Sequence, residues 1–186
     1  IIYLTKNKNF NLDKKIKKYI NLKNTNSYSD LKQKEIYKYY QSEHNLHNLK
    51  DFKFFGKYVE NKINIKKNHL FKNKFKIKID KLWFVKSKRG VDLLPHNHPE
   101  GVISGIYYYR VPKKLSPGIL KIKNPRKNIK VISNTDVYRL KNNEIIIKPI
   151  ENLLIIFNSY LLHSVTNQDS DEERISLPFD ANLYKS

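Results

Sequence analysis

The hydrophobic period of this chain changes near Leu70, and that change restricts the folds it can adopt. Before Leu70, apolar side chains recur every three or four residues among lysines, which is typical of helices with one buried face. From Phe75 to Asp80, apolar and charged residues alternate, as in a strand with one buried face. We therefore expect a single domain, with a helical lead-in over residues 1–70 packed on a mainly β core over residues 71–186.

The lead-in is predicted to contain three amphipathic helices. Ser29-Asp30 has N-cap chemistry and precedes the second helix, and the third helix is the longest. The apolar positions that define the three helices are Leu12, Ile16, Tyr19 and Ile20; Leu31, Ile36, Tyr37 and Tyr40; and Leu49, Phe52, Phe55, Val59 and Ile63.

The β region contains many short apolar segments, separated by turn residues such as Ser116-Pro117-Gly118. These segments predict strands over residues 102–111, 119–123, 129–132, 144–148, 153–157 and 174–179. Short strands at such close spacing are typical of a sandwich or jelly roll. The predicted fold class is therefore mainly β with N-terminal helices, arranged as a jelly roll.

The composition excludes several kinds of site. The 186 residues include no cysteine, so disulfides and thiolate metal sites are excluded and a metal would need nitrogen or oxygen ligands. No apolar run is long enough to span a bilayer, so we expect a cytoplasmic protein without a membrane partner. The chain begins at Ile1 and contains no Met, so the sequence is compatible with a further segment before Ile1.

The formal net charge of +20 favours acidic partners, and nucleic acid is the first to consider. Lys far outnumbers Arg, although Arg is favoured for bidentate contacts with phosphates and bases. The sequence has no RNA-binding motif or zinc-finger spacing, and its abundant Lys, Asn, Ile and Tyr are typical of AT-rich coding. We expect no dedicated nucleic-acid binding, and a homodimer stays open as an alternative to a monomer.

Two histidines and a carboxylate alternate within the segment Pro95–Gly101. Side chains at i and i+2 of a strand point to the same face, so His96 with His98, or His98 with Glu100, could hold one metal ion. His163, just after an apolar strand, is a third candidate ligand. Non-haem iron oxygenases use two histidines and usually one carboxylate on one face of the ion, so the pattern is compatible with an iron site.

Arg174 and Ser176 share one face of the last predicted strand. A guanidinium can form a bidentate pair with a carboxylate, and a Ser hydroxyl can add another hydrogen bond. The alternative is a purely structural ion pair between Arg174 and Glu172 or Glu173. Two neighbouring ligands, a distant His and then Arg-x-Ser together favour a metal site beside a carboxylate site.

Four ordered blocks of the chain resemble a family of Fe(II)/2-oxoglutarate-dependent oxygenases that occurs in marine bacteria and their phages. Trp83 and Gly90 also match positions before the first block, and the resemblance spans roughly Leu82 to Asp180. Four blocks in this order are more specific than any one of them. The blocks are His96-Asn97-His98-Pro99-Glu100-Gly101, Ser104-Gly105-Ile106-Tyr107-Tyr108, Phe157-Asn158-Ser159-Tyr160-Leu161-Leu162-His163 and Arg174-Ile175-Ser176-Leu177-Pro178-Phe179-Asp180.

The resemblance implies a double-stranded β-helix that holds Fe(II) with His96, His98 and His163. Most 2-oxoglutarate oxygenases have an acid at the second ligand position, where this chain has His98. An alternative set of His98, Glu100 and His163 therefore stays open, with His96 outside the ligands. We favour the three histidines, because members of the family often lack an acid where Glu100 stands.

The resemblance also implies a site for the co-substrate. Arg174, helped by Ser176, would bind the distal carboxylate of 2-oxoglutarate. Tyr108 stands where prolyl-hydroxylase-like enzymes place a tyrosine on that carboxylate, and Ser104 shares its strand face. The implied function is the hydroxylation of an unactivated C–H bond with Fe(II), 2-oxoglutarate and O₂.

Two other functions would explain part of the pattern. A cupin-like metal enzyme that does not use 2-oxoglutarate would need the three histidines and would leave Arg174 structural. A non-enzymatic jelly-roll binding module, as in viral structural proteins, would bury the histidines for packing alone. The sequence leaves the substrate open among protein side chains, nucleic acids, sugars and small metabolites.

Overall fold

The computed structural model describes residues 2–6, 39–66, 75–125 and 130–185, together with positions 10, 12, 14–16, 18 and 19. Thirteen strands and one long helix, α1 (Lys50–Lys66), are formed within these ranges, and a 3₁₀ helix (Leu46–Asn48) precedes α1. Residues 14–16, 18 and 19 are also helical. No helix in the described ranges is long and apolar enough to cross a membrane.

The strands form two sheets. In chain order they are β1 (Ile2–Lys6), β2 (Tyr39–Gln41), β3 (Phe75–Leu82), β4 (Val85–Ser87), β5 (Leu93–His96), β6 (Ile103–Arg110), β7 (Leu120–Lys123), β8 (Val131–Ser133), β9 (Tyr138–Lys141), β10 (Glu144–Ile147), β11 (Leu153–Asn158), β12 (His163–Val165) and β13 (Arg174–Lys185). The larger sheet has the order β2-β4-β13-β6-β11-β1-β8, and β3 pairs with the second half of β13. The smaller sheet has the order β5-β12-β7-β10-β9.

The larger sheet is buried on both faces, because its strands carry apolar residues at successive positions. One face packs on the smaller sheet, and side chains such as Phe157 and Leu120 share that core. The other face packs on α1, whose apolar residues at three- and four-residue spacing, Phe52, Phe55 and Val59, are fully or almost fully buried. Two sheets facing each other across one core, with a helix outside, confirm the predicted jelly-roll class.

The helical predictions have three different outcomes. The third helix is confirmed as α1, and Ile16 and Tyr19 of the first helix lie in helical, buried positions. The second helix falls largely outside the described residues. The exception is Tyr40, which the sequence assigned to that helix but which lies in β2. The backbone of β2 is hydrogen-bonded to β4, which lies far along the chain. The spacing of apolar residues near Tyr40 does not indicate such a long-range contact.

The lead-in is not entirely helical, which corrects the prediction for residues 1–70. The strand β1 lies inside the larger sheet, antiparallel to β11 and parallel to β8. Ile2 and Leu4 enter the core between the sheets, whereas Tyr3 faces the helical side. Ile2, Tyr3 and Leu4 form a continuous apolar run without alternation, which periodicity cannot distinguish from a buried helix, so the sequence analysis missed this strand.

Most predicted strands of the β region are confirmed within one or two residues, and four short strands were missed. The missed strands are β4, β5, β9 and β12. The last strand, β13, continues to Lys185 because its second half pairs with β3.

Neighbouring β13 and β6 place three cross-strand pairs on the face toward the smaller sheet: Asp180 with Ser104, Pro178 with Ile106, and Ser176 with Tyr108.

Candidate active site

Three histidines meet where β5 and β12 pair. His96 and His163 are direct cross-strand partners, with ring centroids 4.3 Å apart. The His98 ring lies 5.4 Å from His96 and 5.2 Å from His163. Each residue offers one ring nitrogen, and these nitrogens lie within 4.8 Å of one another. The three imidazoles can therefore bind one metal ion. Because β5 ends at His96, His98 reaches this position from the following loop and not from the strand alternation that the sequence analysis assumed.

The orientation of each ring is set by a hydrogen bond at Nδ1. The acceptors are Leu94 O for His96 at 2.7 Å, Asp180 Oδ1 for His98 at 2.6 Å and Leu161 O for His163 at 2.9 Å. An imidazole that donates from Nδ1 presents the lone pair of Nε2, which is the form that binds metals. All three rings therefore have Nε2 available at the centre of the cluster.

Burial keeps His163 in the neutral form that a metal ligand requires. The side chain is buried, and loss of solvation lowers the pKa of His163 to about 4. The neighbouring His96 and His98 lower this pKa further, while the hydrogen bond to Leu161 O raises it. No proton competes with a metal for His163 near neutral pH.

Glu100, the alternative ligand, lies outside the metal cluster. Its carboxylate forms an ion pair with Lys81, and its side chain is 77% exposed. This ion pair lowers the pKa of Glu100 and raises the pKa of Lys81. Although Glu100 borders the same cavity as the histidines, the described metal cluster consists of histidines alone.

Asp180 is the site residue that the sequence analysis did not recognise. Its carboxylate accepts hydrogen bonds from His98 Nδ1 and from Ser104 Oγ, each at 2.6 Å. Ser104 Oγ also lies 2.8 Å from Ser159 Oγ. Ser104, which the resemblance placed near the co-substrate, is therefore connected to the metal end of the site. The 82 residues between His98 and Asp180 left no local signal for this contact.

A cavity of about 420 Å³ opens beside the histidines. Its wall is largely apolar, with Trp83, Phe157 and Leu120 among the lining residues. Trp83 is packed between two imidazoles, with ring centroids 4.5 Å from His44 and 6.1 Å from His98. A mostly apolar pocket that ends on a few convergent polar groups is the usual form of a small-ligand site.

The strand β2 supplies a part of the cavity wall that the sequence analysis missed. Tyr39 and Gln41 line the cavity, and Tyr39 Oη donates a hydrogen bond to Gln41 Oε1 at 2.5 Å. Gln41 Nε2 lies 2.8 Å from His44 Nε2, which extends the polar chain along the wall. The local sequence does not indicate this position, because Tyr37 and Tyr40 continue the apolar spacing of the predicted second helix.

Arg174 and Tyr108 form a second, more deeply buried polar pair, and neither is among the residues that line the cavity. Arg174 is 3% exposed and Tyr108 is fully buried. One guanidinium nitrogen, Nη1, donates to Pro117 O at 2.9 Å. Among the described residues, neither Arg174 Nε nor Tyr108 Oη has a hydrogen-bond partner. Two unpartnered buried donors of this kind suit an anionic oxygen ligand, because unsatisfied buried polar atoms are costly.

The surroundings of Arg174 also explain why Gly118 is needed in the loop before β7. A Cβ atom at Gly118 would lie 2.5 Å from Arg174 Nη1 and 2.9 Å from Thr166 O, and the backbone there has φ of +78°.

Burial raises the pKa of Tyr108 to about 12, although the positive charge of Arg174 acts in the opposite direction. Tyr108 is therefore a neutral hydrogen-bond donor. The buried Ser176 is its cross-strand partner.

The comparison with known proteins agrees with this geometry. The model of the family described as "Putative 2OG-Fe(II) oxygenase" matches residues 81–180, more than half of the chain. The chain belongs to this family. This match confirms the expected family, the enzyme class and the use of Fe(II) as cofactor and 2-oxoglutarate as co-substrate. The strand β2 and the other N-terminal elements lie outside the matched segment. Among curated proteins, none gives a significant match to the sequence.

Solved structures with low sequence identity share the fold. A viral collagen prolyl hydroxylase from Paramecium Bursaria Chlorella virus-1, in a 2-oxoglutarate complex, is 16% identical, with a TM-score of 0.59 over 98% of this chain and 97% of that one. A prolyl hydroxylase from Trichoplax adhaerens is 13% identical, with a TM-score of 0.60 over 97% and 83%. A third similar structure is a 2OG-Fe(II) oxygenase family oxidoreductase from Burkholderia pseudomallei, which is 11% identical with a TM-score of 0.54. That match covers 77% of this chain but only 62% of the Burkholderia protein. The double-stranded β-helix fold is therefore confirmed.

The residues present fit both groups that the family implies. Three converging imidazole nitrogens are suitable ligands for Fe(II). A guanidinium and a neutral phenol, both buried and each with an unpartnered donor atom, suit a carboxylate.

Proposed function

We propose that this protein binds Fe(II) through Nε2 of His96, His98 and His163 and hydroxylates an unactivated C–H bond of a substrate that enters the cavity beside Trp83. The observation that carries the proposal is the geometry of the three rings. Each Nδ1 has an acceptor on the outside of the cluster, so each Nε2 is available on the inside. When bound, Fe(II) and 2-oxoglutarate supply the oxidising chemistry with O₂.

We propose that Arg174 and Tyr108 bind the distal carboxylate of 2-oxoglutarate and so orient the co-substrate toward the histidines. Their unpartnered Nε and Oη atoms support this role. Ser176, the cross-strand partner of Tyr108, is placed on the same face and adds a hydroxyl. We assign Ser104 instead to the metal end, because its hydroxyl is bonded to Asp180.

The cavity wall supplies orientation and excludes water. Trp83, Phe157 and Leu120 offer apolar surface beside the histidines, and Tyr39 with Gln41 offers polar atoms on the wall formed by β2. The prolyl hydroxylases among the similar structures support a reaction at an aliphatic carbon. A single domain over residues 1–186, a cytoplasmic location, a phage source and a homodimer stay predictions.

The proposal is tested by anaerobic titration of the protein with Fe(II), with and without 2-oxoglutarate. We expect a weak visible charge-transfer band only when both are present, because the band belongs to the iron chelate of the co-substrate. Iron binding without any 2-oxoglutarate complex at millimolar co-substrate would favour the cupin-like enzyme. Absence of iron binding would favour a non-enzymatic jelly-roll module.

A further inference from the structure

The carboxylate of Asp180 is placed directly behind one of the histidines. Asp180 lies on β13, on the face toward the smaller sheet, and is 8% exposed. Its Oδ1 accepts the hydrogen bond from His98 Nδ1 at 2.6 Å. Among the described residues, the carboxylate has no ion pair with Lys or Arg, because the nearby Lys81 is paired with Glu100. Within the described part of the chain, its one ion pair is therefore with the His98 ring, although the charge of Asp180 also helps to raise the pKa of Lys81.

The surroundings hold both Asp180 and His98 in place. Ser104, the cross-strand partner of Asp180, donates to the carboxylate at 2.6 Å. Ser159 contacts Ser104 through its hydroxyl and accepts a hydrogen bond from the backbone N–H of His98 at 3.0 Å. A Cβ atom at Gly101 would lie 2.9 Å from Ser159 Oγ, so this network needs a glycine there. His98 is thus fixed at its ring and at its backbone.

The histidine cluster by itself supplies no negative charge to a divalent ion. Facial sites in non-haem iron enzymes usually include one carboxylate ligand, and here the corresponding exposed acid, Glu100, is paired with Lys81. A carboxylate that accepts a hydrogen bond from the far nitrogen of a ligating imidazole makes that ligand more basic and fixes its orientation. Asp180 has the position that this effect requires.

We propose that Asp180 is a positioning residue that holds His98 with Nε2 toward the metal and supplies, through the His98 ring, the negative charge that a site without a carboxylate ligand lacks. This inference rests on the proposed function, since it assumes that the three histidines bind iron. Asp180 lines the cavity but lies outside the cluster of His96, His98 and His163. The alternative is that Asp180 only satisfies the hydroxyl of Ser104 and stabilises the fold.

The isosteric variant Asp180→Asn separates these roles. The Asn side chain keeps an oxygen that can accept from His98 Nδ1 but removes the charge, whereas Asp180→Ala removes both. The matched control is Asp171→Asn, which changes an exposed carboxylate paired with Arg89, outside both the cavity lining and the histidine cluster. For each protein we would measure the Fe(II) dissociation constant anaerobically, the wavelength of the charge-transfer band with 2-oxoglutarate, and the unfolding temperature of the metal-free form.

We expect Asp180→Asn to weaken Fe(II) binding by roughly tenfold and Asp180→Ala by up to about a hundredfold, as for other partners of metal-ligating histidines. The band should move to shorter wavelength in the Asn variant, because iron that receives less charge gives up an electron less readily. The control variant should match the wild type in both measurements. The Asn variant tests the inference even where Ala prevents folding, because it preserves shape.

Wild-type iron affinity and an unmoved band in Asp180→Asn would overturn this inference and leave the proposed function intact. A lower unfolding temperature with unchanged iron affinity would overturn it in the same way and assign Asp180 to the fold. Failure of the wild type itself to bind Fe(II) would overturn the proposed function, and this inference with it.

Discussion

The histidine end and the Arg174 end of the site differ in how many of their polar atoms have hydrogen-bond partners. At the metal end, the Nδ1 atoms of all three histidines have acceptors, and Asp180 is bonded to both His98 and Ser104. At the Arg174 end, two buried donor atoms have no partner among the described residues.

The difference indicates which part of the site is organised before its ligand arrives. The protein itself orients the three imidazoles, so the metal end should keep its geometry without metal. Arg174 is held through Nη1 to Pro117 O, but its Nε and the hydroxyl of Tyr108 have no partner among the described residues and would gain one from a bound anion. A ligand that satisfies them removes a cost that the ligand-free protein bears.

The largest effect should come from the metal end. His163→Ala removes the buried ligand that pairs with His96 across the strands, and we expect loss of Fe(II) binding at micromolar metal. His44→Ala is the matched control, because His44 lies on the cavity wall outside the cluster. Isothermal titration under anaerobic conditions would measure both. Retention of micromolar iron affinity by His163→Ala would contradict the three-histidine site.

The next largest effect should come from the carboxylate end. Arg174→Lys keeps a positive charge but cannot form two parallel hydrogen bonds with one carboxylate. Loss of one partner of such a buried pair costs on the order of 2–5 kcal/mol, so the 2-oxoglutarate requirement should rise by roughly thirtyfold or more. Iron affinity should stay unchanged.

The measurement is succinate formed per iron across a 2-oxoglutarate titration, even without a prime substrate. An unchanged 2-oxoglutarate dependence in Arg174→Lys would show that Arg174 has a structural role, and the cupin-like alternative would then be the better explanation. A parallel loss of iron affinity would show instead that the two ends of the site are not independent.

Tyr108→Phe should have a smaller effect, and it should weaken the binding of 2-oxoglutarate without destabilising the ligand-free protein. The variant removes a buried hydroxyl without a partner, so the ligand-free protein should be as stable as the wild type or more stable by about 1 kcal/mol. Binding of 2-oxoglutarate should weaken by roughly tenfold, since a hydrogen bond to a charged group contributes about 1.5–3 kcal/mol. Thermal unfolding with and without co-substrate would measure both. A destabilised ligand-free variant would show that the hydroxyl already has a partner.

Glu100→Gln should have the smallest effect. The side chain is mostly exposed and its carboxylate is paired with Lys81, so we expect wild-type Fe(II) affinity. Anaerobic iron titration of this variant beside His96→Ala separates the two ligand sets. Loss of iron in Glu100→Gln with retention in His96→Ala would identify His98, Glu100 and His163 as the ligands.

Local patterns in the sequence were sufficient for the residue types of the site and for much of the fold. The spacing of Phe52, Phe55 and Val59 defined α1, and the alternation after Phe75 defined β3. The His-x-His segment, the distant His163 and the Arg-x-Ser pair identified the candidate metal ligands and the candidate carboxylate anchor. These features are visible because each depends on a few neighbouring residues or on an ordered set of short motifs.

Only the tertiary structure decided which residues act together. The contact of Asp180 with His98 joins residues 82 apart and depends on the register that sets Asp180 opposite Ser104. The strands β1 and β2 are held by partners far along the chain, so their own few residues carried no recognisable period. The ion pair of Glu100 with Lys81 and its position outside the cluster of His96, His98 and His163 are likewise visible only in the folded chain. Cross-strand register and long-range pairing join residues that are far apart in the chain, so the hydrophobic pattern of one short segment does not reveal its partner.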